Sequence, residues 1–319
     1  MTHIRQQAVV SLIIVGLSAA AAAATPPARP AALVQYGVGT QLYAITSEGL
    51  VGQVTTRTGL KQGEWFSIEK GRLVPGTGDL NPSPVGYIKG LGEKIKYALF
   101  NGPSLAATTT IVGIRAGCIF GFYTAANYAG ALGFRSCPSG DLAYDYGYNG
   151  TFLTGMADDG LLVGFHDNPH LQYSGLIVTP SGDERDYVVP GADGTKILGL
   201  APGGRIVGTF LKGGRWHGFV AGIDGENLVV VNAKIRGKIA HDTGIVAIQG
   251  ACTLGYFDVN PDVGQAGFVH CEGKHDSPFT FDSNFAMNPR GLLEDGTIFG
   301  DFDGTGPTEG FLLPGFVKP

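Results

Sequence analysis

Residues 197–231 read Ile-Leu-Gly-Leu, Ala-Pro-Gly-Gly, Arg-Ile-Val-Gly-Thr-Phe, a short loop, Trp-His-Gly-Phe-Val-Ala, then Asp-Gly-Glu and Leu-Val-Val-Val. Four short apolar runs separated by glycine turns form the pattern of a four-stranded antiparallel meander. Variants of this unit recur along the chain. An apolar pair closed by glycine returns at Gly52, Gly86, Gly121, Gly164, Gly208, Gly255 and Gly300. A second anchor follows ten to twelve residues after each, as in Gly133-Phe134, Gly175-Leu176, Gly218-Phe219, Gly267-Phe268 and Gly310-Phe311. Two anchors at nearly constant separation define a repeat and therefore a fold assembled from equivalent sheets.

The turns agree with this division. Asp158-Asp159-Gly160, Gly203-Gly204 and Glu294-Asp295-Gly296 lie between first and second strands. Ser139-Gly140, Ser181-Gly182, Asp224-Gly225 and Glu272-Gly273 lie between third and fourth strands. Glycine and aspartate tolerate the positive φ that tight hairpin turns require. Four-stranded units repeating about every 40–45 residues predict an all-β fold, a β-propeller, with a solenoid of β-arches as its rival. The anchors count seven four-stranded blades. Pro82 and Pro84 crowd the second unit, and reading residues 76–107 as an insertion gives six. The last unit lacks a fourth strand, and the strand-like piece Ala32-Leu33-Val34-Gln35-Tyr36 precedes the first. Pairing the two closes the ring and removes two exposed edges.

The motif Ala-Pro-Gly-Gly-Arg-Ile-Val-Gly-Thr-Phe followed by Trp216-His217-Gly218-Phe219-Val220 resembles the HAF repeat of bacterial extracellular proteins. The resemblance implies an extracytoplasmic propeller-like array over about residues 42–315, with no catalytic motif to carry over. Only the unit around Gly208 keeps His-Gly-Phe.

The N-terminus predicts export. A polar start with His3 and Arg5 leads into an apolar stretch, Ala8 to Leu17, and an alanine run ending at Ala24. This is the layout of a signal peptide over residues 1–24, cut off by Pro26, Pro27 and Pro30 from a single domain over 25–319. No other stretch is long and apolar enough to span a membrane. The expected location is periplasmic or secreted, with disulfides permitted. Cys118 and Cys252 each lie three residues before an anchor glycine, and Cys137 and Cys271 each four after the second anchor glycine. These equivalent places face each other in a hairpin of second and third strands, which predicts the pairs Cys118–Cys137 and Cys252–Cys271.

Function is less legible. A net charge of −5 carries no basic footprint and argues against nucleic acid. There is no Gly-x-Ser-x-Gly elbow, His-Glu-x-x-His, phosphate loop or dinucleotide fingerprint. In a propeller the second-to-third and fourth-to-first loops share one face, and these are the long ones. That face is the expected recognition surface. Its candidate ligand residues are His166, Asp167, His170, Trp216, His217, Asp301 and Asp303. Asp258, Asn260 and Asp262 place oxygens at alternate positions, as Ca²⁺ would want, though the loop lacks the usual glycine and bidentate glutamate. The stretch Gly300-Asp301-Phe302-Asp303-Gly304-Thr305-Gly306 resembles the calcium-binding loop of FG-GAP propellers. No cofactor is otherwise required. Tyr144, Tyr146 and Tyr148 share one strand face, to pack against the next blade or to stack on sugars. The expectation is a binding or scaffolding module for an extracellular protein or carbohydrate. The alternative is a carbohydrate-active hydrolase or lyase using carboxylates or histidines on the same face.

Overall fold

A computed structural model describes residues 32–34, 40–46, 49–55, 61–69, 72–75, 87–90, 93–96, 106–125, 130–137, 139–146, 150–235, 237–260, 263–280, 286–303 and 308–317. The expected signal peptide, Gly86, Pro82, Pro84, Tyr148 and Asp262 lie outside them. Among the described residues no helix is long and apolar enough to cross a membrane.

The chain opens with β1 (Ala32–Val34), followed by a sheet of β2 (Thr40–Thr46), β3 (Gly49–Thr55), β4 (Lys61–Glu69) and β5 (Arg72–Pro75). A lone hairpin, β6 (Tyr87–Gly90) and β7 (Glu93–Lys96), comes next. The second sheet is β8 (Ala106–Arg115), β9 (Cys118–Ala125), β10 (Ala131–Cys137) and β11 (Gly140–Tyr144). The third is β12 (Thr151–Met156), β13 (Leu162–Asp167), β14 (Tyr173–Val178) and β15 (Glu184–Tyr187). The fourth is β16 (Gly194–Ala201), β17 (Arg205–Lys212), β18 (Arg215–Gly222) and β19 (Val229–Val231), trailed by the hairpin β20 (Lys234–Ile235) and β21 (Lys238–Ile239). The fifth is β22 (Thr243–Gln249), β23 (Cys252–Asn260), β24 (Val263–Cys271) and β25 (Ser277–Phe279). The last combines β26 (Ala286–Leu292), β27 (Ile298–Asp303) and β28 (Glu309–Leu313) with β1.

These antiparallel sheets make an all-β, propeller-type fold. Seven four-stranded units do not form: the described residues hold six four-stranded sheets, and the region of the second anchor contributes only the hairpin β6–β7. Side chains are described across most of the five sheets from β8 onward; in the sheet β2–β5 they are described only at residues 41–44. β1 lies antiparallel to β28, with Ala32 opposite Leu312 and Val34 opposite Gly310.

The first strands of successive sheets touch: β2 with β8, β8 with β12, β12 with β16, β16 with β22, β22 with β26, and β26 with β2. Each carries a bulge at the same place, between Ile197 and Gly199 in β16 and between Pro289 and Gly291 in β26, for example. The core lies between neighbouring sheets. Ile177 and Val189 pack with Ile206 and Phe219, and Val207 packs with Ile245 and Phe268. Threonines bond across these seams. Thr154 Oγ1 donates to the Ile197 carbonyl at 2.9 Å, and Thr209 Oγ1 to that of Thr243 at 2.9 Å. Tyr144 is buried and, with Tyr146 beside it, packs against Leu162 and Leu176 of the next sheet.

Both disulfides take the expected pairing, Cys118–Cys137 and Cys252–Cys271, with Cα separations of 4.2 and 4.0 Å. Cys252 and Cys271 are direct cross-strand partners.

Candidate functional site

With four antiparallel strands in order, the β13–β14, β17–β18, β23–β24 and β27–β28 loops emerge on the same side as the loops that lead into each first strand. Two groups of side chains gather on this side, near the ends of the first strands.

One group is aromatic. Phe122 lies 5.1 Å from Phe152, Phe152 4.9 Å from Phe165, Phe165 5.8 Å from Tyr173, and Tyr173 6.2 Å from Trp216, all between ring centroids. All five rings are half-buried. The row runs from β9 through β12, β13 and β14 to β18 because Phe152 and Phe165 are cross-strand partners and Tyr173 begins the next strand. Lys196, from the upper part of β16, extends into the row. Its Nζ lies 3.6 Å from the centre of the Tyr173 ring, 5.0 Å from Trp216 and 5.3 Å from Phe165. The ammonium meets the negative faces of the rings, a favourable cation–π geometry. Burial pulls its pKa below the ordinary lysine value, and the Asp167 carboxylate opposes that pull.

The other group is acidic. Asp242 and Asp258 stand opposite each other where β22 and β23 begin to separate, with the Asp258 N–H donating to the Asp242 carbonyl at 3.1 Å. Asp242 Oδ1 accepts the Trp216 N–H at 2.8 Å, which ties the acidic group to the aromatic row, and lies 3.3 Å from His241 Nδ1. Burial, and then the charge of Asp242, push the Asp258 carboxyl up, while Gln265 holds it down. Burial and then Asp258 raise the Tyr256 hydroxyl to about 12, so it is a neutral donor at physiological pH. On the next sheet Asp301 is fully buried. It accepts from Arg290 Nε at 2.8 Å and from Asn288 Nδ2 at 3.1 Å, while the Arg290 guanidinium stacks 4.6 Å from the centre of the Tyr43 ring. Burial pushes Asp301 up, and Arg290 and Asn288 work to keep it ionised.

The structure sorts the candidate residues. Asp167 and Trp216 border the Lys196 cluster, and Asp258 sits in the acidic group. His166 does not present its side chain to the face: it is 6% exposed, with Nε2 2.8 Å from Asp186 Oδ1 and Nδ1 2.9 Å from the Asp167 carbonyl oxygen. His217 stacks on Phe210 at 5.3 Å and faces Asn232 Oδ1 at 3.1 Å, a packing role. His170 is exposed, and its N–H donates to Asn168 Oδ1 in an Asx turn. Asp301 is withdrawn into its pair with Arg290, which differs from an open calcium loop. Asp303 is exposed and accepts from Thr308 Oγ1 at 2.7 Å. The side chain of Asn260 and the whole of Asp262 lie outside the described residues. Among those described, no three His, Cys, Asp or Glu side chains converge as metal ligands.

Sequence reading missed Lys196, Phe165, Tyr173 and Arg290. A signal existed within the repeat. The residue before the bulge is Thr110, Phe152, Lys196, Gly244 and Asn288 in successive units, so Lys196 is a charge at a place where no other unit carries one.

No protein-family model and no curated protein matches the chain. The HAF resemblance therefore stands on its few residues alone. Solved structures of similar shape include TolB from Acinetobacter baumannii, with 8% identity over 86% of this chain and 63% of that one, at a TM-score of 0.45. A puromycin hydrolase S511A mutant complexed with PGG follows at 10% identity over 83% and 51%, with a TM-score of 0.44. Prolyl oligopeptidase B from Galerina marginata gives 11% over 83% and 38%, with a TM-score of 0.42. The chain thus spans 38 to 63% of the length of these three proteins.

Proposed function

We propose that the protein is an exported propeller acting as a binding or scaffolding module, with its recognition surface on the long-loop face. The observation that carries this reading is the row of half-buried rings ending at Trp216, set beside Asp167, Asp242 and Asp258. Partly open aromatic surface with a few fixed polar groups is the composition of a ligand site. Six sheets would form one ring, closed by β1; the pairing of β1 with β28 and the contact of β2 with β26 support that closure. Residues 1–24 would be removed on export, leaving 25–319 as one domain. The two disulfides support a periplasmic or secreted location, since such bonds persist in oxidising compartments. The ligand is an extracellular protein or carbohydrate touching Asp167, His170, Trp216 and Asp303. A calcium ion at Asp258, Asn260 and Asp262 would be structural.

Binding to arrayed glycans and peptides tests the reading. Trp216→Ala and Asp167→Asn should abolish a signal that Glu226→Gln, on the opposite face, leaves intact. The reverse pattern overturns it.

The carboxyl pair favours a second reading. Two opposed carboxyls of which one is pushed up can divide acid and base roles, as glycoside hydrolysis requires. Release of reducing sugar that disappears in both Asp242→Asn and Asp258→Asn would select the enzyme.

A further inference from the structure

Among the described residues Lys196 makes no ion pair and no hydrogen bond; its ammonium meets only the rings of Tyr173, Trp216 and Phe165. A half-buried ammonium held this way has lost much of its water, and aromatic faces return only part of that loss. The Asp167 carboxylate offsets part of this cost from a distance, and an anion in direct contact with the ammonium would offset more. The Lys196 side chain stays partly open to solvent, so an anion can reach it.

The surroundings narrow the anion. Asp167 and Asp242 flank the cluster, and the whole chain carries a net charge of −5. A polyanion such as an acidic polysaccharide would be repelled along most of its length. A ligand with one carboxylate, an apolar body and N–H donors meets every element present. We propose that this site receives the free C-terminus of a partner polypeptide. The proposal rests on the binding-module reading above and names its ligand. The terminal α-carboxylate accepts from Lys196 Nζ. The last side chain, apolar or aromatic, lies against Trp216 and Phe165. The final peptide N–H groups donate to Asp167 and to Asp242, whose Oδ1 already accepts from Trp216. The strand positions also give a direction: Lys196 is the third residue of β16, whereas Asp167 ends β13 and Asp242 precedes β22, so the peptide would enter end-first.

The test uses the intact protein and N-acetyl-Ala-Ala-Phe as probe, with its C-terminal amide, maltotriose and trigalacturonate as comparison ligands, titrated by calorimetry at millimolar concentration. The free acid should bind at least about tenfold more tightly than the amide, the contribution of a charge-assisted bond. Lys196→Met should erase the difference between acid and amide while leaving the melting temperature no lower than in the parent. Equal binding of acid and amide, a preference that survives in Lys196→Met, or no binding of either peptide overturns the proposal. Binding of a sugar alone, lost in Trp216→Ala, would overturn the C-terminus and leave the recognition face standing. Failure of every ligand in the parent and in Trp216→Ala alike would count against the peptide site and give the face no support.

Discussion

Gly208 and Phe219 face each other across β17 and β18, and a Cβ built on Gly208 would stand 2.8 Å from the Phe219 ring and well inside contact of the Lys196 carbonyl oxygen. The same relation holds between Gly255 and Phe268 and between Gly300 and Phe311. The repeat glycine is thus required by two neighbours at once. The bulged first strand brings a carbonyl over it from one side, and the fully buried phenylalanine covers it from the other. Gly208→Ala should destabilise the protein by about 1–3 kcal/mol through overpacking, since the backbone neighbour has no rotamer with which to yield. Urea denaturation monitored by circular dichroism checks this, with Gly203→Ala, in an open turn, as the comparison for a purely conformational effect.

Removing Cys252 and Cys271 together by substitution with alanine should lower stability. Chain-entropy estimates give about 3 kcal/mol for a loop of this size, lessened because a hairpin already holds the ends close and persists in part when unfolded. Peptide mapping without reductant should find only Cys118–Cys137 and Cys252–Cys271. A cross-sheet link would break the equivalence of the two hairpins.

Asp258 predicts a pH dependence. Its carboxyl in the folded protein lies above the reference value of 3.8, so the folded state holds that proton more tightly than the unfolded chain does. Stability contributed by the protonated form is present below 3.8 and declines as pH rises through the raised pKa. Asp258→Asn should therefore stabilise the protein at neutral pH and have little effect in acid below the unfolded value. Melting temperatures of parent and variant at those two pH values decide it; a larger gain in acid contradicts the assignment.

Arg290→Ala would leave the Asp301 carboxylate, 0% exposed, with Asn288 as its one side-chain partner among the described residues. Stripping one partner from a buried pair costs about 3–5 kcal/mol, and the lower end applies because 32% of the Arg290 side chain remains accessible. Adding Asp301→Asn should recover part of the loss, a double-mutant signature readable from denaturant midpoints.

Deleting residues 25–37 removes β1 and uncovers the outer edge of β28. The expected outcomes are a sharply lower melting temperature and a tendency to self-associate through the freed edge. An unchanged melt would show that the edge pairing contributes nothing to the fold.

What the sequence determined by itself was periodic. Glycine, turn and phenylalanine recur because each sheet must solve the same packing problem, so the all-β repeat, the equivalent cysteines and the matching of Ala32–Val34 to an incomplete last unit could all be read in advance. The count of seven failed around Gly86, where the anchor pair survives as spacing, yet among the described residues only β6 and β7 pair in that region. The candidate site is aperiodic, and the tertiary structure decided it. His166 and Asp301 read as loop ligands but are buried and bonded to Asp186 and Arg290, partners from other strands that spacing does not reveal. Lys196 reads as one charge in an apolar strand. It becomes the centre of an aromatic cluster only when β16 is packed beside β13, β14 and β18, because the rings that surround it come from two different sheets.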